Sequence, residues 1–246
     1  MILEYILKAK EIELAKKEQE TPIEILEQLT LNASQPISLV EALMDPLKSH
    51  IIAEFKRKTN NKELISASES AINWTSRFIN GHAVAVSFKM DNALYGGTSD
   101  DLYQSKQLFP DTPMIYDDII IDPYQIVEAR ALGADAICLY SSLLDVENVN
   151  AFIQLAHLLD MEVIMCIKDR EDIIKFSDVT DIVCIINSNF DGTDGDIQQS
   201  IDLYHLIPQD KIKISAGGIH TQNHINTLLD IGYDGVILGT ILVPSN

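Results

Sequence analysis

Two acids, Asp117 and Asp118, end the short apolar run PMIYD (113–117) just where the following residues take up a helical period. A carboxylate in such a place can take a proton, hold a cation or repel an anion, so the pair limits what can react beside it. Six of seven comparable runs also carry chemistry at their ends. HIIAEFK (50–56) brings Glu54 and Lys56, AVAVSFK (83–89) brings Lys89, and EVIMCIK (162–168) brings Cys166 and Lys168. DIVCIIN (181–187) supplies Asn187 with Asn189 after it, KIKISA (211–216) leads into Gly217 and Gly218, and GVILG (235–239) into Gly239 and Thr240. DAICLY (135–140) completes the set.

Glu54 and Lys56 are two apart on a strand and face one side, as a working acid and base or as a buried structural ion pair. The glycines of SAGGI (215–219) and LGT (238–240) let backbone N–H groups come close to a phosphate, the alternative being tight turns alone. Lys56, Arg57 and Lys58 form a basic patch that suits either an anion or a solvated loop. Cys166 reads as a small apolar strand residue, with no histidine nearby in sequence to activate its thiol.

The elements that position these residues alternate. Between the apolar runs lie segments of helical period, such as 123–132, 146–159 and 220–229, several opened by Asp or Thr at a capping position. Continuous apolar strands separated by helices imply a parallel sheet covered by helices, and eight such units close into a (β/α)8 barrel. An open doubly wound sheet is the alternative. In a barrel the C-terminal ends of the strands carry the site, which gathers the polar rim described above. We expect one barrel domain over 1–246, with 1–45 a helical extension whose first helix caps the bottom or lies near the top. Seven residues follow the last run, too few for a full eighth outer helix, so that helix is expected to be truncated or missing. A protein partner, a second copy of the chain or the N-terminal helix is then expected in the groove between strands 8 and 1.

Composition excludes several classes of partner. The formal net charge of -19 leaves no excess of Lys and Arg to track phosphates, which argues against nucleic acid and anionic membrane surfaces. No run of 18 uninterrupted apolar residues appears, and the acidic N-terminus does not read as a targeting peptide. Cys138, Cys166 and Cys184 lack CxxC spacing and are expected to be reduced in a cytoplasmic protein. The histidines show no metal-ligand spacing and no nucleotide-binding glycine loop is present, so neither metal nor cofactor is expected.

Several stretches resemble the indole-3-glycerol phosphate synthases of tryptophan biosynthesis. IIAEFKRKT (51–59) is similar to that family's IIAE-x-KR-x-S, and IIIDPYQIVEARALGADAICL (119–139) to its strand-3 to strand-4 segment. LYGGTSDDL (94–102), LDMEVIM (159–165) and LGT (238–240) continue the likeness along nearly the whole chain. The resemblance implies a carbon–carbon lyase that closes a ring, decarboxylates and dehydrates a carboxyphenylamino-deoxyribulose 5-phosphate. It assigns catalytic roles to Glu54 and Lys56, and a phosphate site to Thr59, Gly217, Gly218, Gly239 and Thr240.

Other family positions are substituted. Asp117 stands at the general-acid lysine, Cys166 at a catalytic glutamate, Ile186 at an asparagine, Ser188 at an arginine and Gly217 at a serine. An ammonium protonates a carbonyl oxygen and attracts an anionic substrate, whereas an ionised carboxylate does neither. Two like charges about 4 Å apart cost roughly 4 kcal/mol at an effective dielectric of about 20. The leading expectation is a divergent member that binds a phosphorylated or anionic small molecule, its standard activity lost or altered. A non-catalytic scaffold and a synthase rebuilt around Lys89 or Lys168 are the alternatives.

Overall fold

The computed structural model describes residues 2–59, 62–63, 69–188, 195–239 and 242. Thr240 and Asn189, together with the tail from which a truncated eighth helix was expected, lie outside the described residues except for Leu242.

Eight parallel strands of the described chain close into a barrel. They are β1 (Ile51–Phe55), β2 (Ala85–Lys89), β3 (Met114–Asp117), β4 (Ala136–Tyr140), β5 (Glu162–Ile167), β6 (Ile182–Ile186), β7 (Ile212–Ala216) and β8 (Gly235–Leu238). Each matches one of the apolar runs. They neighbour one another in sequence order, and β1 pairs with both β2 and β8. The open-sheet alternative is thereby excluded.

Alternation along the strands separates two cores. Ile52, Ala85, Ile115, Cys138, Ile164, Cys184, Ile214 and Ile237 fill the interior, while Phe55, Phe88, Tyr116, Leu139, Met165 and Val183 face the surrounding helices. Helices α4 (Ala71–Asn80), α6 (Ser99–Leu108), α7 (Pro123–Ala131), α8 (Val146–Leu158), α9 (Arg170–Phe176), α10 (Gln198–Leu203) and α11 (Gln222–Ile231) follow successive strands, and α5 (Asn92–Tyr95) is a single turn after β2. Their starts are written in the sequence. Asp122, ahead of Pro123, makes a capping box with Gln125, and Asp145 and Thr221 each accept a backbone N–H at the start of α8 and α11.

Three helices precede β1: α1 (Ile2–Glu20), α2 (Ile23–Thr30) and α3 (Leu39–Met44). Helix α3 closes the bottom of the barrel, sending Leu39 and Leu43 into the interior core. Glu162, at the start of β5, accepts hydrogen bonds from the N–H groups of Leu39 and Val40 and so secures the start of that helix. Helix α1 lies at the other end, outside the exits of β2 and β3. Lys10 reaches Asp91 and Asp118 there, and Leu14 packs in one cluster with Leu26, Tyr124 and Val127.

Candidate active site at the barrel mouth

The closing acids of β3 face opposite ways, as consecutive strand residues must. Asp117 turns inward and Asp118 outward, so the two do not form one acidic pair. Asp117 lies beside Lys89 in the β2–β3 register, and their side chains meet at 2.8 Å. The Tyr140 hydroxyl donates to the other Asp117 oxygen at 2.8 Å while accepting from Lys89 Nζ at 2.7 Å. Ser87 adds a long contact of 3.4 Å from two residues below Lys89. Asp117 is 3% exposed, covered by its own partners.

Glu54 completes the cluster from β1. Its carboxylate lies 2.6 Å from Lys56 Nζ and 3.6 Å from Lys89 Nζ, so the residues predicted to share a face form an ion pair in the mouth. Burial alone would raise the Glu54 pKa, but Lys56 and then Lys89 outweigh it and hold the carboxyl at about 2. For Lys89, burial works against the charge, and Asp117, Tyr140 and Glu54 reverse that effect, leaving its pKa well above the usual lysine value. The ammonium also sits 5.4 Å from the ring centroids of both Tyr95 and Tyr140. This corner of the mouth therefore packs the side chains of Lys56 and Lys89 against those of Glu54 and Asp117, and Lys89 holds its proton more tightly than an ordinary lysine.

The opposite wall is built differently. Cys166 stands in register with Tyr140 on one side and Cys184 on the other, within the apolar interior core. The thiol of Cys138 lowers its pKa, but Cys184 and burial raise it more, and the net effect is well upward. No thiolate forms there at neutral pH. Ile186 is half-buried and packs against the same core. Lys168, just beyond β5, donates to the backbone carbonyl of Ser188 at 3.3 Å, placing a cation where a neighbouring strand carries serine.

The glycines have specific surroundings. Gly217 and Gly218 adopt φ of 76° and 67°, the left-handed region that favours glycine, and a side chain on Gly217 would run into Ser188. Gly239 backs onto the Glu54–Lys56 pair, whose charged atoms occupy the space where its Cβ would be. Lys56 is thus brought to the start of the loop after β8. Thr59, by contrast, lies in a two-residue ribbon, Lys58–Thr59 against Lys62–Glu63, and is not part of the ion-pair cluster.

Two sequence-based readings of rim residues change. Asn187 points away from the mouth and bonds Ser215, Ala216 and Gly217 while accepting from Ser200, a buried network that ties the ends of β6 and β7. Arg57 is removed from the basic patch by a two-pronged pair with Asp101 at 2.6 and 2.7 Å. Tyr140 and Tyr95 went unread in the sequence. Alternation from Cys138 would have put Tyr140 inside the mouth, but a tyrosine ending an apolar run carries no charge signal. Among the described residues no group of His, Cys, Asp and Glu is arranged to hold a metal ion.

The family model for indole-3-glycerol phosphate synthase matches residues 3–246. Among similar proteins, the indole-3-glycerol phosphate synthase of Bacteroides thetaiotaomicron is 30% identical over 238 residues, covering 97% of this chain and 91% of that protein. The enzyme of the same name from Chlorobium chlorochromatii is 29% identical over 240 residues, covering 96% and 93%. Solved structures share the fold at lower identity. A mutant tryptophan synthase alpha-subunit from Pyrococcus furiosus superposes with TM-score 0.62 at 16% identity, over 79% of this chain and 88% of that one.

Proposed function

The chain belongs to the indole-3-glycerol phosphate synthase family, and on that premise we propose that its barrel mouth binds a phosphorylated, anionic small molecule, with the usual ring closure and decarboxylation lost or altered. One observation carries the reading: Lys89, the ammonium nearest the substituted acid position, is bound by Asp117, Tyr140 and Glu54 at once. A general acid works best with a pKa near the operating pH, and these contacts move Lys89 away from it. A synthase rebuilt around Lys89 is therefore the weaker alternative. Lys168, on the far wall, donates to the Ser188 carbonyl and is the other lysine on which such a rebuilt enzyme would draw.

Against a bare scaffold stands the Glu54–Lys56 pair, which faces the mouth and carries a cation to the β8 loop. Anion binding there would draw on Lys56 and on backbone N–H groups near Gly218 and Gly239, which do not depend on the substituted side chains. The free, buried thiols of Cys138, Cys166 and Cys184 fit a reducing, cytoplasmic setting.

A phosphate titration followed by thermal unfolding tests the binding. Phosphate at 100 times its Kd should stabilise the protein by about 2.7 kcal/mol. Chloride at matched ionic strength should do far less. Equal responses to the two salts would leave the glycines as turn residues and the mouth without an anion site.

A further inference from the structure

Helix α1 buries Ile6 and Leu14 and, between them, the charged Lys10. Tyr5 and Ile12 are 77% and 67% exposed, whereas Lys10, between them, is 1% exposed. A lysine is rarely buried to that extent without ionic partners. Lys10 Nζ lies 2.8 Å from Asp91, 3.0 Å from Asp118 and 3.0 Å from Glu13.

The first two partners sit beside the mouth cluster. Asp118 follows Asp117 at the exit of β3, and Asp91 is two residues beyond Lys89 at the exit of β2. Asp91 also accepts the Leu94 N–H at 2.7 Å and so starts α5, the turn that ends in Tyr95. The Tyr95 ring contacts Lys89, and its carbonyl accepts the backbone N–H of Arg57 at 2.9 Å. Asp118 is fixed in turn by Gln125 at 3.0 Å and by the N–H of Ile119 at 2.8 Å. Two lysines therefore join the same pair of strands, Lys89 from inside the barrel and Lys10 from outside.

We propose that Lys10 is a positioning residue for the mouth: by strapping the exits of β2 and β3 together through Asp91 and Asp118, it keeps Lys89 seated on Asp117. The reading of the mouth given above explains why the seating of Lys89 matters. Because β3 presents Asp117 and Asp118 on opposite faces of one short segment, a shift that frees Asp118 from Lys10 moves Asp117 relative to Lys89 as well. Loss of Asp91's partner loosens α5 and withdraws the Tyr95 ring from the ammonium.

Lysine-reactivity mapping tests this, using reductive methylation of the full chain and peptide mass spectrometry to obtain a rate for each lysine. In the parent protein Lys89 should react slowly, as should Lys106 and Lys213, which are buried at the far end of the barrel. In Lys10→Met, Lys89 should react at least about threefold faster while Lys106 and Lys213 keep their rates, and Lys10→Arg should restore the slow rate. An unchanged Lys89 rate in Lys10→Met overturns the proposal, and so does a parallel rise at all three lysines, which means general loosening. Should Lys10→Met fail to fold, Asp91→Asn keeps the ammonium but weakens the strap to β2. A smaller rise confined to Lys89 then supports the assignment, and no rise refutes it. No ligand enters the experiment, so its failure is distinct from a failure of the phosphate titration.

Discussion

The two walls of the mouth differ in the chemistry they present. On the wall formed by β1 to β4, Asp117 has a lysine one strand away. Lys89 and Asp117 are register partners, so an ammonium and a carboxylate face each other across a single hydrogen-bonded pair of strands. On the wall formed by β5 and β6, Cys166 and Ile186 are apolar, and the interior core extends up to the rim. The first wall pairs its charges with one another; the second carries none at Cys166 and Ile186. One side of the mouth therefore pairs its charged side chains with one another, and the other is lined at Cys166 and Ile186 by the apolar interior core.

If the charged wall is a paired unit, breaking it should be costly. Lys89→Met leaves Asp117 and Glu54 without their shared cation and should destabilise the fold by about 3–5 kcal/mol in denaturant unfolding. Lys89→Met combined with Asp117→Leu removes both charges and should recover most of that loss. A single variant as stable as the parent would show that the contacts contribute little.

Acid probes the same wall without mutation. The Glu54 carboxyl is depressed to about 2, from an ordinary glutamate value near 4.5, by Lys56 and Lys89 acting against burial. A depressed carboxyl contributes its stability above the unfolded-state pKa and loses it as pH falls through the folded-state value. Of the order of 3 kcal/mol should therefore disappear between about pH 4.5 and pH 2. Glu54→Gln should flatten the acid limb of the stability curve over that window, and a limb unchanged by the substitution would contradict the pairing.

The apolar wall should respond least. Ile186→Val removes one half-buried methyl group and should cost about 0.5–1.5 kcal/mol, with no change in the acid limb. A larger loss, or one that depends on pH, would mean that the two walls are coupled.

The sequence made the barrel readable because its strands are buried on both faces and so appear as uninterrupted apolar runs, each bounded by a cap or a glycine. It placed Glu54 and Lys56 together through simple two-residue spacing. It did not reveal the Lys89–Asp117 pair, because residues on adjacent parallel strands are separated by a whole helical crossover and their register is set by barrel closure. Position-by-position likeness to the family finds the lysine missing from β3 and cannot find it again on β2. The role of Lys10 was hidden for a similar reason: the helix carrying it is polar along much of its length, and its partners lie about 80 and 108 residues away. Asp118 looked like a companion to Asp117 until strand alternation put it on the other face.

The most direct measurement is an assay of the purified protein for indole-3-glycerol phosphate formation from the carboxyphenylamino-deoxyribulose 5-phosphate, followed by indole fluorescence. With Lys89 held by Asp117, Tyr140 and Glu54 and with the β5–β6 wall apolar, no appreciable turnover is expected. Turnover in the ordinary enzyme range of about 1–10³ s⁻¹ would contradict the account and show that this mouth performs the family's reaction by another route.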